Sequence, residues 1–321
     1  MQIVSRRRAL MLAASSAAAL PFLNGGESRA QTKPNAEAVV FDIADFTKTV
    51  PDTDAAFAKA LAAISQSTND ANKAGKPVHI VFNLEKNATY QIKRPLSFKR
   101  LNTFEINGYG ARLVNTTLGS TLLISGSSHV TVRDLSIDYD PLPFTQGTTI
   151  AFDHAALQIM IRVDPGYPDD AKFLPTITDG FFKVMDCRTR SLKAGARDFL
   201  PPKRIERVGE KLIGVQLQWS ANDLGPGQLP VVVGDVAAIN NAYAHAIVVD
   251  DSVSTAFIGL KLLASPAMGI LENAGPGGMV LQNVSIVSGP RPAGATTDRL
   301  VSTNSDGSHS ITVEHGPTIL D

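Results

Sequence analysis

A chain of 321 residues holds one large domain or two smaller ones, and a composition 44% hydrophobic and 19% charged excludes an intrinsically disordered protein. Basic and acidic residues balance at 30 each with no basic stripe, which excludes a nucleic-acid footprint. The single cysteine, Cys187, excludes an internal disulfide and reads as a small buried hydrophobe.

Residues 1–30 have the layout of an export leader. Arg6-Arg7-Arg8 is followed by an apolar run from Ala9 to Leu23, and Ser28 and Ala30 stand where a signal peptidase needs small residues. Cleavage is expected after Ala30, leaving a periplasmic or secreted protein. The apolar run is too short and Ala-rich for a membrane span, so no span is expected after cleavage. Ser5-Arg6-Arg7-Arg8-Ala9-Leu10 resembles the twin-arginine export pattern, with Ala9 in place of the usual Phe; an ordinary secretory signal is the alternative.

Residues 31–38 read as a linker, and Val39-Val40-Phe41-Asp42-Ile43 as a short strand. Next, Phe57, Leu61 and Ile64 mark one apolar face of a helix over Ala55–Ile64, capped by the carboxylates of Asp52-Thr53-Asp54. Short strands are then predicted at Val78–Phe82, Tyr90–Ile92, Leu96–Phe98, Phe104–Ile106 and His129–Ile137, separated by turn residues.

From about Asp140 to Asp250 this rhythm lapses. Strands are predicted at Phe181–Met185, Leu212–Leu217 and Val231–Val236 between charged turns, as an inserted antiparallel β subdomain, barrel-like in character, over 141–250. Beyond it lies a repeat: Phe257-Ile258-Gly259-Leu260-Lys261-Leu262, ending at Ser265-Pro266, matches Leu281-Gln282-Asn283-Val284-Ser285-Ile286, ending at Gly289-Pro290, at an offset of 24 residues. Arg133-Asp134-Leu135-Ser136-Ile137 shares the pattern. Short strands at such a spacing predict a β-solenoid, in which each coil buries its apolar face only by stacking on its neighbours. The expected fold is therefore all-β: a right-handed parallel β-helix with an N-terminal capping helix, first coils over 39–140 and further coils over 251–321. The sequence stops at Thr318-Ile319-Leu320-Asp321, in the middle of a strand by pattern, which gives the expectation of an N-terminal portion of a longer protein.

The candidate site is Arg299-Leu300-Val301-Ser302-Thr303-Asn304-Ser305-Asp306-Gly307-Ser308-His309, where a carboxylate, an imidazole and a guanidinium occur on adjacent coil positions. Inverting glycosidases need a protonated carboxylic acid on the leaving oxygen and an ionised carboxylate about 6.5–9.5 Å away to activate water. By composition alone, Asp306-Gly307 is a turn and His309 a surface residue. His79 and His129 have no ligand-like partners, no metal-ligand spacing occurs, and no cofactor is expected. Asp169-Asp170 and Asp250-Asp251 read as solvated turns, and Gly275-Pro276-Gly277-Gly278 as a turn between coils.

Three stretches carry a resemblance. Asp52-Thr53-Asp54-Ala55-Ala56-Phe57 is similar to the N-terminal cap of pectin-lyase-like β-helix proteins. Asp134–Gly147, and Arg299–Ile319 with its Asp306-Gly307-Ser308-His309, resemble family 110 glycoside hydrolases, the exo-acting α-1,3-galactosidases, and their relatives; Asn304-Ser305-Asp306-Gly307 is similar, more distantly, to the Asn-Thr-Asp signature of polygalacturonases. The resemblance implies a glycoside hydrolase acting on an oligo- or polysaccharide, with Asp306 as the general acid, Arg299 and His309 binding sugar hydroxyls or tuning that acid, and Glu272 as a further polar contact. It also implies a β-barrel insertion and a catalytic Asp-Asp pair about one coil after Asp306, beyond Asp321. Without that pair, hydrolysis is expected to be lost. A polysaccharide lyase or epimerase, or a non-catalytic glycan-binding solenoid, are the alternatives on the same fold.

Overall fold

Period-two alternation of apolar and polar residues forms strands when one face can be buried. The computed structural model describes residues 38–169, 180–197, 200–218, 229–241, 244–303 and 306–321. The expected export leader, the expected linker before Ala38, Asp170 and Asn304-Ser305 lie outside the described residues. Among the described residues, strands make up 46% and helices 10%, so the fold is mainly β.

The chain opens with β1 (Ala38–Asp42), α1 (Ile43–Thr47) and α2 (Thr53–Lys73), then β2 (His79–Asn83), β3 (Thr89–Ile92), β4 (Leu96–Lys99), β5 (Asn102–Asn115), β6 (Leu122–Ser125) and β7 (Ser128–Tyr139). Six strands follow: β8 (Phe144–Asp153), β9 (Gln158–Val163), β10 (Gly180–Met185), β11 (Pro202–Gly209), β12 (Leu212–Leu217) and β13 (Val236–Asn241). The last group is β14 (Ile247–Asp250), β15 (Ala256–Ile258), β16 (Lys261–Leu262), β17 (Ile270–Asn273), β18 (Val280–Gln282), β19 (Ser285–Ile286), β20 (Ser308–Ile311) and β21 (Thr318–Leu320).

Two of the three sheets are parallel. One follows the path β1-β2-β5-β7-β15-β18-β21, with β3, β16 and β19 paired alongside; the other runs β4-β6-β14-β17-β20. From β4 onward the chain alternates between them. The 24-residue echo is a physical register: Phe257 pairs with Leu281 and Lys261 with Ser285. Apolar columns result, such as Leu96, Leu122, Ile247 and Ile270, all buried. Each such side chain contributes about 1.5–3 kcal/mol relative to exposure.

The third sheet is antiparallel, ordered β10-β13-β8-β9-β12-β11. It is interposed between neighbouring strands of the parallel stack, because the returning β14 pairs Ile247 directly with Leu122 of β6. Ile247–Asp250, read from sequence as part of the insertion, thus belongs to a parallel sheet.

Three local expectations change. Helix α2 runs to Lys73, well past Ile64, since Gln66 donates to Asp70 one turn on (2.8 and 2.9 Å) and the Thr68 hydroxyl to the Ile64 carbonyl (3.0 Å). Val231–Gly234 is a turn, not a strand: the Val232 amide donates to the Asp235 carboxylate (2.9 Å), Gly234 takes a positive φ of 98°, and β13 begins only at Val236. Cys187 is exposed rather than buried. It follows the end of β10, in a turn whose amides at Arg188 and Thr189 donate to Asp186 (3.0 and 2.8 Å). No helix among the described residues is long and apolar enough to cross a membrane.

Candidate functional site

The outermost strand of the five-stranded parallel sheet, β20, carries the candidate His309, with Asp306 just before it. Alternation along it sends Ser308 and Ser310 to the row shared with Ile270 and Glu272, and His309 to the opposite face beside Leu271. Just before the strand, Asp306 turns its carboxylate back: Oδ2 lies 2.6 Å from His309 Nδ1. The two side chains are 55% and 37% exposed, so both are reachable from solvent.

The preceding backbone holds this turn against the neighbouring one. The Gly269 amide donates to the Asp306 carbonyl (3.0 Å) and the Ile270 amide to the Gly307 carbonyl (3.0 Å). This approach requires glycine at 269, where a Cβ would run into the Gly307 carbonyl oxygen.

A residue unflagged in the sequence joins the pair. His245, on the turn before β14, accepts the Met268 amide at Nδ1 (3.3 Å). Burial, followed by the positive charge that His309 can carry, holds its imidazole below the ordinary histidine range. A neutral His245 with Nδ1 engaged as acceptor carries its proton on Nε2.

The other two sequence candidates are placed elsewhere. Arg299 is buried and directed at Asp138 at the end of β7: Nη1 and Nη2 donate to the two carboxylate oxygens at 2.7 and 3.2 Å, and Nη1 also to the Leu263 carbonyl (3.3 Å). Arg112 pairs with the same carboxylate. The segment leading into Arg299 is tied to the antiparallel sheet by Gln146 of β8, which donates to the Asp298 carbonyl (2.9 Å) and accepts from the Leu300 amide (2.8 Å). Glu272 is 2% exposed and lies in the buried row with Phe98, Ile124 and Val249. It accepts from the Met279 amide (3.2 Å) and the Ser310 hydroxyl (2.7 Å).

The structure therefore brings Asp306 and His309 together, adds His245, and directs the hydrogen bonds of Arg299 and Glu272 to protein groups. Asp138 and Gln146 lie in the Asp134–Gly147 stretch singled out for its resemblance, but neither was given a role, because their partners are 161 and 154 residues away. Among the described residues no group of three or more His, Cys, Asp or Glu is placed to hold a metal ion.

Chemically, the Asp306–His309 pair can hold and release a proton at a solvent-facing position. With Nδ1–H donated to Asp306, the Nε2 lone pair of His309 is a base; with one more proton on the pair, it is an acid. Comparison with protein-family models and with curated proteins finds no match to this chain.

Proposed function

We propose that the chain is an exported, carbohydrate-active protein built as a right-handed parallel β-helix, with Asp306 and His309 as the acid side of a glycoside-hydrolase site. The observation that carries this reading is the 2.6 Å contact between Asp306 Oδ2 and His309 Nδ1 on an exposed strand edge. The alternation of the chain between two parallel sheets, in a 24-residue register, supports the coiled architecture. In hydrolysis, Asp306 protonates the leaving glycosidic oxygen, a carboxylate of the Asp-Asp pair that the resemblance implies takes the proton of the water attacking from the opposite face, which inverts the product, and His309 orients the Asp306 carboxyl. Arg299 and Glu272 act by fixing the backbone around the site. The substrate class that follows from the resemblance is an α-galactosyl or similar glycan, attacked from its end.

The same contact favours a second reading, a polysaccharide lyase or epimerase, because His309 with Nδ1–H donated to Asp306 leaves its Nε2 lone pair free to take a sugar-ring proton. Incubation with α-1,3-linked galactosides and with uronate polymers separates the two. In a protein that carries the Asp-Asp pair the resemblance implies, free galactose released by the otherwise unaltered chain, lost in Asp306→Asn and kept in Asp169→Asn, is the expected result. An unsaturated, ultraviolet-absorbing product overturns hydrolysis in favour of elimination.

A further inference from the structure

The antiparallel sheet carries a feature that the Asp306 site does not use. Outward-facing positions of β9, β12 and β11 line up across the ladder: Gln158 opposite Gln216 opposite Arg204, and Met160 opposite Gly214 opposite Glu206. Between these two rows lies a recess of about 230 Å³, lined by Gln158, Arg204, Glu206, Gly214 and Gln216.

Gly214 is the informative residue. Its backbone lies outside the left-handed region, so its conformation does not demand glycine. The nearest atoms a Cβ there would meet are Val208 Cγ1 at 3.4 Å, Glu206 Cγ at 3.6 Å and Met160 Sδ at 3.6 Å, which are ordinary contacts. Neither strain nor close backbone approach therefore accounts for it, and glycine inside a strand weakens the sheet. What the missing side chain provides is the space above the strand.

The walls define what fits that space. Arg204 and Glu206 form an ion pair (2.7 Å), so the lining carries no net charge and selects neither an anion nor a cation. The side-chain amides of Gln158 and Gln216 have no hydrogen-bond partner among the described residues. Each offers two donors and one acceptor, as neighbouring hydroxyl groups require. Gly214 leaves the floor bare, and the Met160 thioether lies beside it, 3.6 Å from where a Cβ would stand. The volume is below the roughly 300 Å³ at which pockets for drug-sized ligands begin, a size for one ring rather than an extended ligand.

We infer that this recess is a second carbohydrate subsite, on the antiparallel sheet, that takes one neutral pyranose unit with its hydroxyls on Gln158, Gln216 and the Arg204–Glu206 pair and a ring face on Gly214 and Met160. The assignment rests on the reading of the chain as carbohydrate-active. It adds a holding site apart from the reacting residues.

The test uses the full chain carrying Asp306→Asn, ¹⁵N-labelled, with methyl α-galactopyranoside as probe and methyl α-galacturonoside as anionic comparator. The Gly214 backbone and the Gln158 and Gln216 side-chain amide signals are assigned by substitution. The expected result is a saturable shift of these signals with the neutral sugar. Gly214→Trp, which fills the recess, and Gln216→Ala, an outward-facing change, each weaken the sugar by about tenfold or more, the equivalent of a lost hydrogen bond or two. Signals that stay fixed with the neutral sugar, or that respond only to the uronide, overturn the subsite. Turnover is read separately, on Gly214→Trp with Asp306 intact. Wild-type release of galactose without any recess shift sinks the subsite alone; a recess shift without turnover in the wild type sinks the hydrolase alone.

Discussion

Arg299 reaches back 161 residues to set Nη1 and Nη2 at 2.7 and 3.2 Å from the two carboxylate oxygens of Asp138, with both side chains 5% exposed. Asp138 also holds Arg112, so one buried carboxylate compensates two guanidinium groups. Removing the shared partner is the damaging change, because it leaves charge without compensation in a region closed to water. Asp138→Ala is expected to lower unfolding free energy by about 3–5 kcal/mol, read from the denaturant midpoint. Arg299→Met, which removes one cation and keeps the volume, is expected to cost less. Equal, small losses for both would mean that the pair contributes little.

The exposed pair behaves in the opposite way. Asp306 and His309 sit at a strand edge, and surface changes of this kind alter stability by about 0.5 kcal/mol or less. Asp306→Asn and His309→Gln are therefore expected to unfold with the wild type while losing about 10²–10⁴-fold in glycan turnover, the range for a lost acid or base. Turnover within a few fold of wild type in both variants would remove the pair from the chemistry.

His245 links this site to pH. Burial, then the charge of His309, depresses its folded-state pKa below the ordinary value of 6.5. The unfolded chain then binds the proton more readily than the folded one. The stability that His245 contributes is complete above the unfolded pKa and is lost as pH falls through the folded value. The charged neighbour in this account is His309 of β20, which β17 separates from β14. Denaturation midpoints are expected to fall from about pH 7 to pH 5, with a shallower decline in His245→Gln. An identical decline in that variant would place the acid sensitivity in other groups.

Much of this arrangement was legible where it is local or periodic. Phe257 and Leu281 share their surroundings 24 residues apart, and the fold stacks them. Asp306 and His309 are three residues apart, and they meet. The pairing of Val132 with Phe257 has the same physics, but the interposed antiparallel strands erase the spacing that would reveal it. Arg299 and Glu272 were given as sugar contacts by the resemblance, and both are buried. Their burial depends on Asp138 and Ser310, whose proximity only the folded register creates. Nothing around His245 in the chain marks it; the turn at Met268 brings it to the site.

The glycine at 269 ties the fold to the site in a way that one substitution can expose. Its amide holds the Asp306 carbonyl at 3.0 Å, and a Cβ would collide with the Gly307 carbonyl oxygen while pressing Leu262 Cδ1 at 3.0 Å and Ile286 Cδ1 at 3.3 Å. The backbone oxygen cannot rotate away as a side chain would. Gly269→Ala must therefore push the 306–307 segment outward, stretching the hydrogen bonds from Gly269 and Ile270 and displacing the Asp306 carboxylate from His309. Overpacking of this kind costs about 1–3 kcal/mol. The variant is expected to melt earlier and to lose turnover together. Gly316→Ala is the internal control, since nothing lies within 4 Å of a Cβ placed there; it is expected to match the wild type in both measurements. If Gly269→Ala loses stability but keeps full turnover, the placement of Asp306 does not depend on this close approach, and the coupling between stack and site fails.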